Sequence, residues 1–446
     1  MEENLASYEA SSFTVDASKL RFDENGKVVL ADFPAFVHEW WHYVQDITTV
    51  TGQNGFYLWM RDIVRMTNIT CSGENKTIQV PLPRDLYGEV YNKYRRFYND
   101  FCGDGSDNER IKGASIDEDP GITPKSFPID GENRTLAKCE IKISGQTKYF
   151  GLIALQELNA FYAQKIAESY FPDASFTVAA DSLPEFPYKV GDLLFDYYHI
   201  DCDLRTRFIL SSLVLNTLQA PAVFLYLLEA LQGRKIEYFN DKEELTRLFE
   251  QICKKHSYPN ETAYHEWGKD YSNWLNDESH KMLRESLSWY LSVVGLAERC
   301  REEYGFDTIP VALSQGHQFM CIVYSCFPVP LIKIGEEIMS QDIDGSKPLS
   351  IAAKHDFENA LTIWSHRRIY DLLRSTKRKD FQTLSSCPIY RNGNCQYLKN
   401  YDTDKRYDCM TAPWMVVRGE KQAKCPYAVA AHSMGLWQNE LVINVE

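Results

Sequence analysis

FPAFVHEWWHYVQDITTVTG, residues Phe33 to Gly52, places His38 and His42 four positions apart, with Glu39 directly after the first. On an α-helix, residues four apart lie one turn apart on the same face, so two imidazoles at this spacing can address a single ion. This is the HExxH pattern of zinc-binding helices. The flanks predict the helix itself. Asp32 is a natural N-cap, Pro34 falls in the first turn, where a missing N–H costs nothing, and the segment runs uninterrupted to Gly52, a C-terminal stop. Val37, Trp41, Val44 and Thr48 form one stripe and Trp40, Tyr43, Ile47 and Val50 a broader one, leaving His38, His42, Gln45 and Thr49 a narrower side. A helix so apolar is expected to be buried almost all round, with a metal site in a dry cleft. The alternative reading is a pair of core histidines on an aromatic helix.

The surrounding chain is long enough to hold such a helix in a core. It has 446 residues, 44% hydrophobic and 25% charged, the composition of a folded globular protein rather than a disordered one. A net charge of -14 argues against the whole protein binding nucleic acid, though a local basic patch is compatible with it. The N-terminal MEENLASYEASSF lacks a basic region and an apolar core, so no signal peptide is read. Phe208 to Leu228 is uncharged and long enough to reach across a bilayer. It also carries Ser211, Ser212, Asn216, Thr217, Gln219 and Pro221, which favour a buried, kinked helical pair. The protein is expected to be soluble and cytoplasmic, and its 12 cysteines to be reduced thiols or metal ligands rather than a disulfide framework.

Upstream of the HExxH helix, Asn25-Gly26 predicts a tight hairpin between Leu20–Phe22 and Val28–Leu30, whose edge an extended peptide can join beside the metal. Downstream, Phe56 to Met66 reads as helix, a second hairpin turns around residues 72–75, and Asp85 to Phe101 reads as a charged helix. Gly103 to Gly131 reads as a surface loop, and a third hairpin turns at Ser144-Gly145-Gln146. Residues 151–171, GLIALQELNAFYAQKIAESYF, then form an amphipathic helix on which Glu157 sits between apolar neighbours. A carboxylate so placed is on a solvated edge or held by something positive.

HExxH on one helix, followed on a later helix by Glu157 in the run Glu157-Leu158-Asn159-Ala160, resembles the gluzincin branch of zinc metallopeptidases. The resemblance implies a zincin-like core in which His38, His42 and Glu157 hold one catalytic Zn2+, Glu39 is the general base, and a peptide or protein is the substrate. It covers these two short segments, which stand 115 residues apart, and Phe161 occupies the position where many members have a supporting aspartate.

Beyond Phe171 helices are expected at Val190–His199, Arg205–Leu218, Ala222–Gly233, Lys242–His256, Glu278–Tyr304, Val329–Ser340 and Ile351–Lys377. The fold class is α+β, mostly α, with three regions: a metallopeptidase core over residues 1–175, a helical body over 176–380 and a Cys-rich C-terminal module over 381–446. From Ser365 to Cys425 there are 13 Lys or Arg against 6 Asp or Glu. Cys387, Cys395, Cys409 and Cys425 fall in loop-like sequence there, the inventory of a second, structural Zn2+ site, with an iron–sulfur cluster as the alternative. His366 and His432 are reserve ligands, and the basic module is a candidate site for a protein or nucleic-acid partner.

Three functions follow from these residues. A zinc-dependent peptidase leaves one coordination position for water, whose proton Glu39 takes. A hydrolase of a non-peptide substrate shares every ligand and differs in pocket shape. A non-enzymatic protein keeps HEWWH as core and binds a partner through its tail. Tyr197, Tyr198, His199 and His317 are candidate oxyanion donors, and Gln45, Asp46 or Thr49 is placed to orient a ligand histidine.

Overall fold

The computed structural model describes residues 5–10, 12–24, 27–71, 77–83, 101–105, 114–129, 132–256, 258, 271, 273–274, 283–335, 337–339, 351–379, 409, 425–436 and 440–444. The protein is mostly helical with small sheets, as expected. Helix α1, Phe33–Thr48, carries the HExxH motif and is buried along nearly its whole length. Its end differs from expectation. Thr49 breaks the helix three residues before Gly52, and α2, Val50–Cys71, starts at once. The Thr49 hydroxyl donates to the Gln45 carbonyl at 2.7 Å and accepts from the Gly52 N–H at 3.1 Å, so one side chain both ends α1 and caps α2. Gly52 is needed for another reason: a Cβ there would collide with the Asp46 and Gln45 backbone. Helix α2 also absorbs the residues before 72 that were expected to be strand, and the turn at 72–75 lies outside the described residues.

Asp32 stands at the N-cap position of α1 but makes no capping bond. Its carboxylate instead takes the Arg21 backbone N–H at 2.8 Å and the Arg21 guanidinium at 2.7 and 3.0 Å, and accepts from the Thr177 hydroxyl at 2.5 Å. The guanidinium and Thr177 beside Asp32 outweigh its burial and hold it down at about 2. The helix start is thereby tied to a segment 145 residues downstream.

The expected hairpin of residues 20–30 is short: Phe22 bridges Val28 antiparallel, the Asp23 N–H donates to the Lys27 carbonyl at 2.8 Å and the Val29 N–H to the Arg21 carbonyl at 3.0 Å, while Asn25 and Gly26 lie outside the described residues. A separate sheet touches α1. The sheet is built from β1 (Ser7–Glu9), β2 (Thr14–Asp16), β9 (Leu331–Ile334) and β10 (Glu337–Met339) in the order β1-β2-β9-β10, with β1 at an edge. Strands β2 and β9 run parallel, Val15 opposite Ile332. The expected helix over Val329–Ser340 is therefore a hairpin, turned at Gly335 in the left-handed region (φ 59°), which an L side chain rarely occupies.

Strands β3 (Thr77–Val80), β4 (Gly121–Ile129), β5 (Glu132–Ile143) and β6 (Gln146–Tyr149) follow α2. The hairpin of β5 and β6 turns at Ser144-Gly145 as expected. The expected loop of 103–131 contains a nine-residue strand, β4, that pairs along β5. The amphipathic helix after this sheet is α3, Leu152–Ser169, and it packs directly on α1. Phe208 to Leu228 forms two helices, α5 (Leu204–Val214) and α6 (Ala220–Ala230), reached through the short α4 (Val190–Tyr197) and strand β7 (Asp201–Cys202). Strand β8 (Lys235–Ile236) and helices α7 (Tyr238–Lys255), α8 (Arg284–Tyr304), α9 (Thr308–Ser314), α10 (His317–Cys326) and α11 (Ile351–Arg374) complete the body. Helices α9 and α10 were not read from the sequence.

The chain's end returns to this body. Helix α12, Pro426–Ser433, packs on α11, and strand β11, Glu440–Ile443, pairs in parallel with β3. One hydrophobic core, containing buried residues from Ala6 to Leu436, encloses α1. Among the described residues no helix is long and apolar enough to cross a membrane.

Candidate metal centre

Helices α1 and α3 pack so that His38, His42 and Glu157 meet. The His38 Nε2 lies 3.1 Å from Glu157 Oε2, and the His42 Nε2 lies 3.4 Å from the same oxygen. The two imidazoles meet edge to face, with ring centroids 5.0 Å apart. Among the described residues this is the group of three side chains with ligand atoms close enough to share an ion, all within 4.8 Å of one another. Neighbouring ligands of a tetrahedral zinc ion, bound at about 2.0–2.2 Å, stand about 3.3 Å apart. The two measured separations bracket that edge, and the donor set of two imidazoles and a carboxylate suits a divalent metal of this kind.

Electrostatics tie the three together in the metal-free chain. Burial alone would lower the His42 pKa, but the Glu157 carboxylate outweighs it and raises the group to about 9. Burial would raise Glu157, and the two histidines instead hold it well below the usual carboxylate range. The site thus draws positive charge toward one carboxylate oxygen, and the three side chains could hold a metal ion there. Glu39, next to His38, is pushed up by burial, against the opposing pull of His38, His42 and the Tyr8 backbone N–H. Strand β1 therefore touches the glutamate, and the Tyr8 ring stacks on His42 with centroids 6.2 Å apart. The Tyr8 hydroxyl donates to Asp46 at 2.8 Å.

Of the three residues expected to support a ligand, Gln45 does so directly: its Oε1 lies 3.0 Å from His42 Nδ1. Asp46 holds Tyr8, and Thr49 caps α2. Three of the expected oxyanion donors have other partners: Tyr197 donates to Asp119 at 2.7 Å, His317 packs against Phe33 and Phe171, and Tyr198 is buried against Tyr197; His199 follows α4 with φ 54°. Besides Tyr8, whose hydroxyl is taken by Asp46, a second tyrosine ring lies against the triad: Tyr188, 5.7 Å from the His38 ring, on the short helical turn Glu185–Lys189. Burial, then Glu157 and Glu39, push its hydroxyl far up, so it stays protonated. Nothing local marks Tyr188 in the sequence, because it is brought to His38 by the way the 185–189 turn folds back on α3.

Of the four C-terminal cysteines, Cys387 and Cys395 lie outside the described residues; Cys409 is buried, and Cys425 precedes α12. His366 is fully buried: its Nδ1 lies 2.8 Å from the Thr362 carbonyl within α11, and its Nε2 lies 2.6 Å from the Ser433 hydroxyl, which joins α11 to α12. His432 is half-buried, which lowers its pKa.

Compared with known protein families, with characterised proteins and with solved structures, the chain matches none.

Proposed function

We propose that the chain is a zinc-dependent metallopeptidase with His38, His42 and Glu157 as the metal ligands and Glu39 as the general base. The observation that carries this reading is the convergence of both Nε2 atoms on one oxygen of Glu157, with Glu39 beside them. Zinc held there supplies Lewis-acid polarisation of a carbonyl and a water of lowered pKa, and three protein ligands leave a position for it. Glu39 lies next to the ligands without being one of them, and its raised proton affinity suits it to accept a proton from the attacking water and pass it to the leaving amine. Tyr188, protonated and facing His38, is placed to donate to the oxygen that gains charge as the carbonyl is attacked. The edge position of β1, beside Glu39, supports an extended peptide as substrate rather than a compact small molecule.

The test is digestion of a peptide library by the zinc-loaded chain, read by mass spectrometry, alongside Glu39→Gln. Cleavage by the wild type and none by the variant, with zinc bound equally by both, is the expected result. A zinc-loaded wild type that cleaves no peptide overturns the peptidase reading, and a chain that binds no zinc overturns the metal centre.

A further inference from the structure

Behind the triad, hydrogen bonds run in one forced direction. The indole N–H of Trp41 can only donate, and it points at Asn159 Oδ1, 2.6 Å away. Asn159 accordingly turns its Nδ2 to the Phe208 carbonyl at 3.1 Å and to the Ser211 and Ser212 hydroxyls at 2.8 and 2.9 Å. Gln45 then presents its Nε2 to Asn159 Oδ1 at 2.9 Å and to the Gln156 carbonyl at 3.1 Å. Both partners are acceptors, so the Gln45 amide cannot turn over without setting oxygen against oxygen. Its Oε1 is left facing His42 Nδ1, which must carry the hydrogen. When His42 gives up one proton to bind a metal, neutral imidazole keeps the remaining one on Nδ1, so the Nε2 on the side of Glu157 is the nitrogen left with a lone pair. Trp41, Gln45 and Asn159 are each at most 2% exposed, which removes bulk water as a substitute partner. His38 differs: its Nδ1 is buried with no hydrogen-bond partner among the described residues.

We infer that Gln45 and Asn159 are positioning residues that select the metal-binding tautomer of His42, with the Trp41 N–H as the fixed end of the relay. The inference rests on the metal-centre reading above and assigns the two histidines unequal roles: His42 is pre-set through its Nδ1, whereas His38 has no partner there and is held from its Nε2 end alone, by Glu157 or by the ion.

Zinc affinity, measured by competition with a chromophoric chelator on the full chain, and metal-free melting temperature test it together. Gln45→Met removes the acceptor and is expected to weaken zinc binding about 10–100-fold. Asn159→Leu leaves the Gln156 carbonyl as the one acceptor holding the Gln45 amide, and is expected to weaken zinc binding in the same direction but by less than Gln45→Met. Gln45→Glu keeps an oxygen opposite Nδ1 but sets its second oxygen against the Gln156 carbonyl and Asn159 Oδ1. It should lower the melting temperature more than Gln45→Met while holding zinc within about threefold of wild type. Affinities that fall in step with melting temperature across the variants overturn the inference. A wild type that binds no zinc overturns the metal-centre reading instead. If the variants do not fold, the wild type decides. In the zinc-loaded chain the imidazole nitrogen spectrum should show His42 protonated at Nδ1, and a metal-bound or unprotonated Nδ1 there refutes the relay.

Discussion

Removing the metal and raising the pH should affect the protein in opposite ways depending on what fills the triad. In the metal-free chain His42 is raised from 6.5 to about 9, its side chain being only 11% exposed beside Glu157. A group that binds its proton more tightly when folded stabilises the fold fully below its unfolded pKa, and that contribution is lost as pH rises through the folded value. The chelated protein is therefore expected to lose stability between about pH 6.5 and pH 9. At about 1.4 kcal/mol per tenfold in proton affinity, the loss amounts to about 3 kcal/mol at most. Zinc requires Nε2 without its proton, so over the same range each pH unit increases zinc affinity up to about tenfold, and the added stability of the loaded chain grows. Thermal melting from pH 6 to 9.5, in chelator and in excess zinc, measures both slopes. Glu157→Gln should flatten the chelated slope, because without the carboxylate burial keeps His42 at or below its ordinary range. Chelated and zinc-loaded curves that run parallel, or a chelated slope untouched by Glu157→Gln, would refute the coupling.

Tyr188→Phe should lower kcat about 10²-fold with zinc affinity and melting temperature unchanged, since only the developing oxyanion loses a donor. Asp32→Asn should cost about 1 kcal/mol at neutral pH, the Arg21 side chain being 60% exposed and its ion pair screened. Because Asp32 is held down at about 2, the difference from wild type is present above its unfolded pKa and vanishes as pH falls toward 2, which acid titration followed by circular dichroism would show. Gly52→Ala should destabilise by about 3 kcal/mol or more in urea titration, because its Cβ meets main-chain atoms of Gln45 and Asp46 that cannot move independently of α1. A cost below 1 kcal/mol would mean the two helices can separate more easily than their packing implies.

Much of the candidate site was legible in the residues alone because its parts are local. The i, i+4 spacing of His38 and His42 and the apolar period of 151–171 require only helical geometry, and the polar side chains of 208–228 marked a buried helical pair from composition. What could not be read depends on segments far apart in the chain. Leu331–Ile334 has a helix-compatible pattern and becomes a strand because β2, more than 300 residues earlier, offers it a parallel partner. Asp32 looked like a helix cap and is claimed by Arg21 and Thr177, while Thr49, unremarkable in a row of β-branched residues, ends one helix and starts the next. Asn159 gave no sign of its role until Trp41, 118 residues away, was seen to donate to it. The sequence by itself determined that two imidazoles share a helix face and that a glutamate rides a later helix. Tertiary packing decided that the three meet at one oxygen, that Tyr188 lies against His38 and that His42 turns Nε2 to Glu157 and Nδ1 to Gln45, because direction and distance between helices are set by the core they jointly fill.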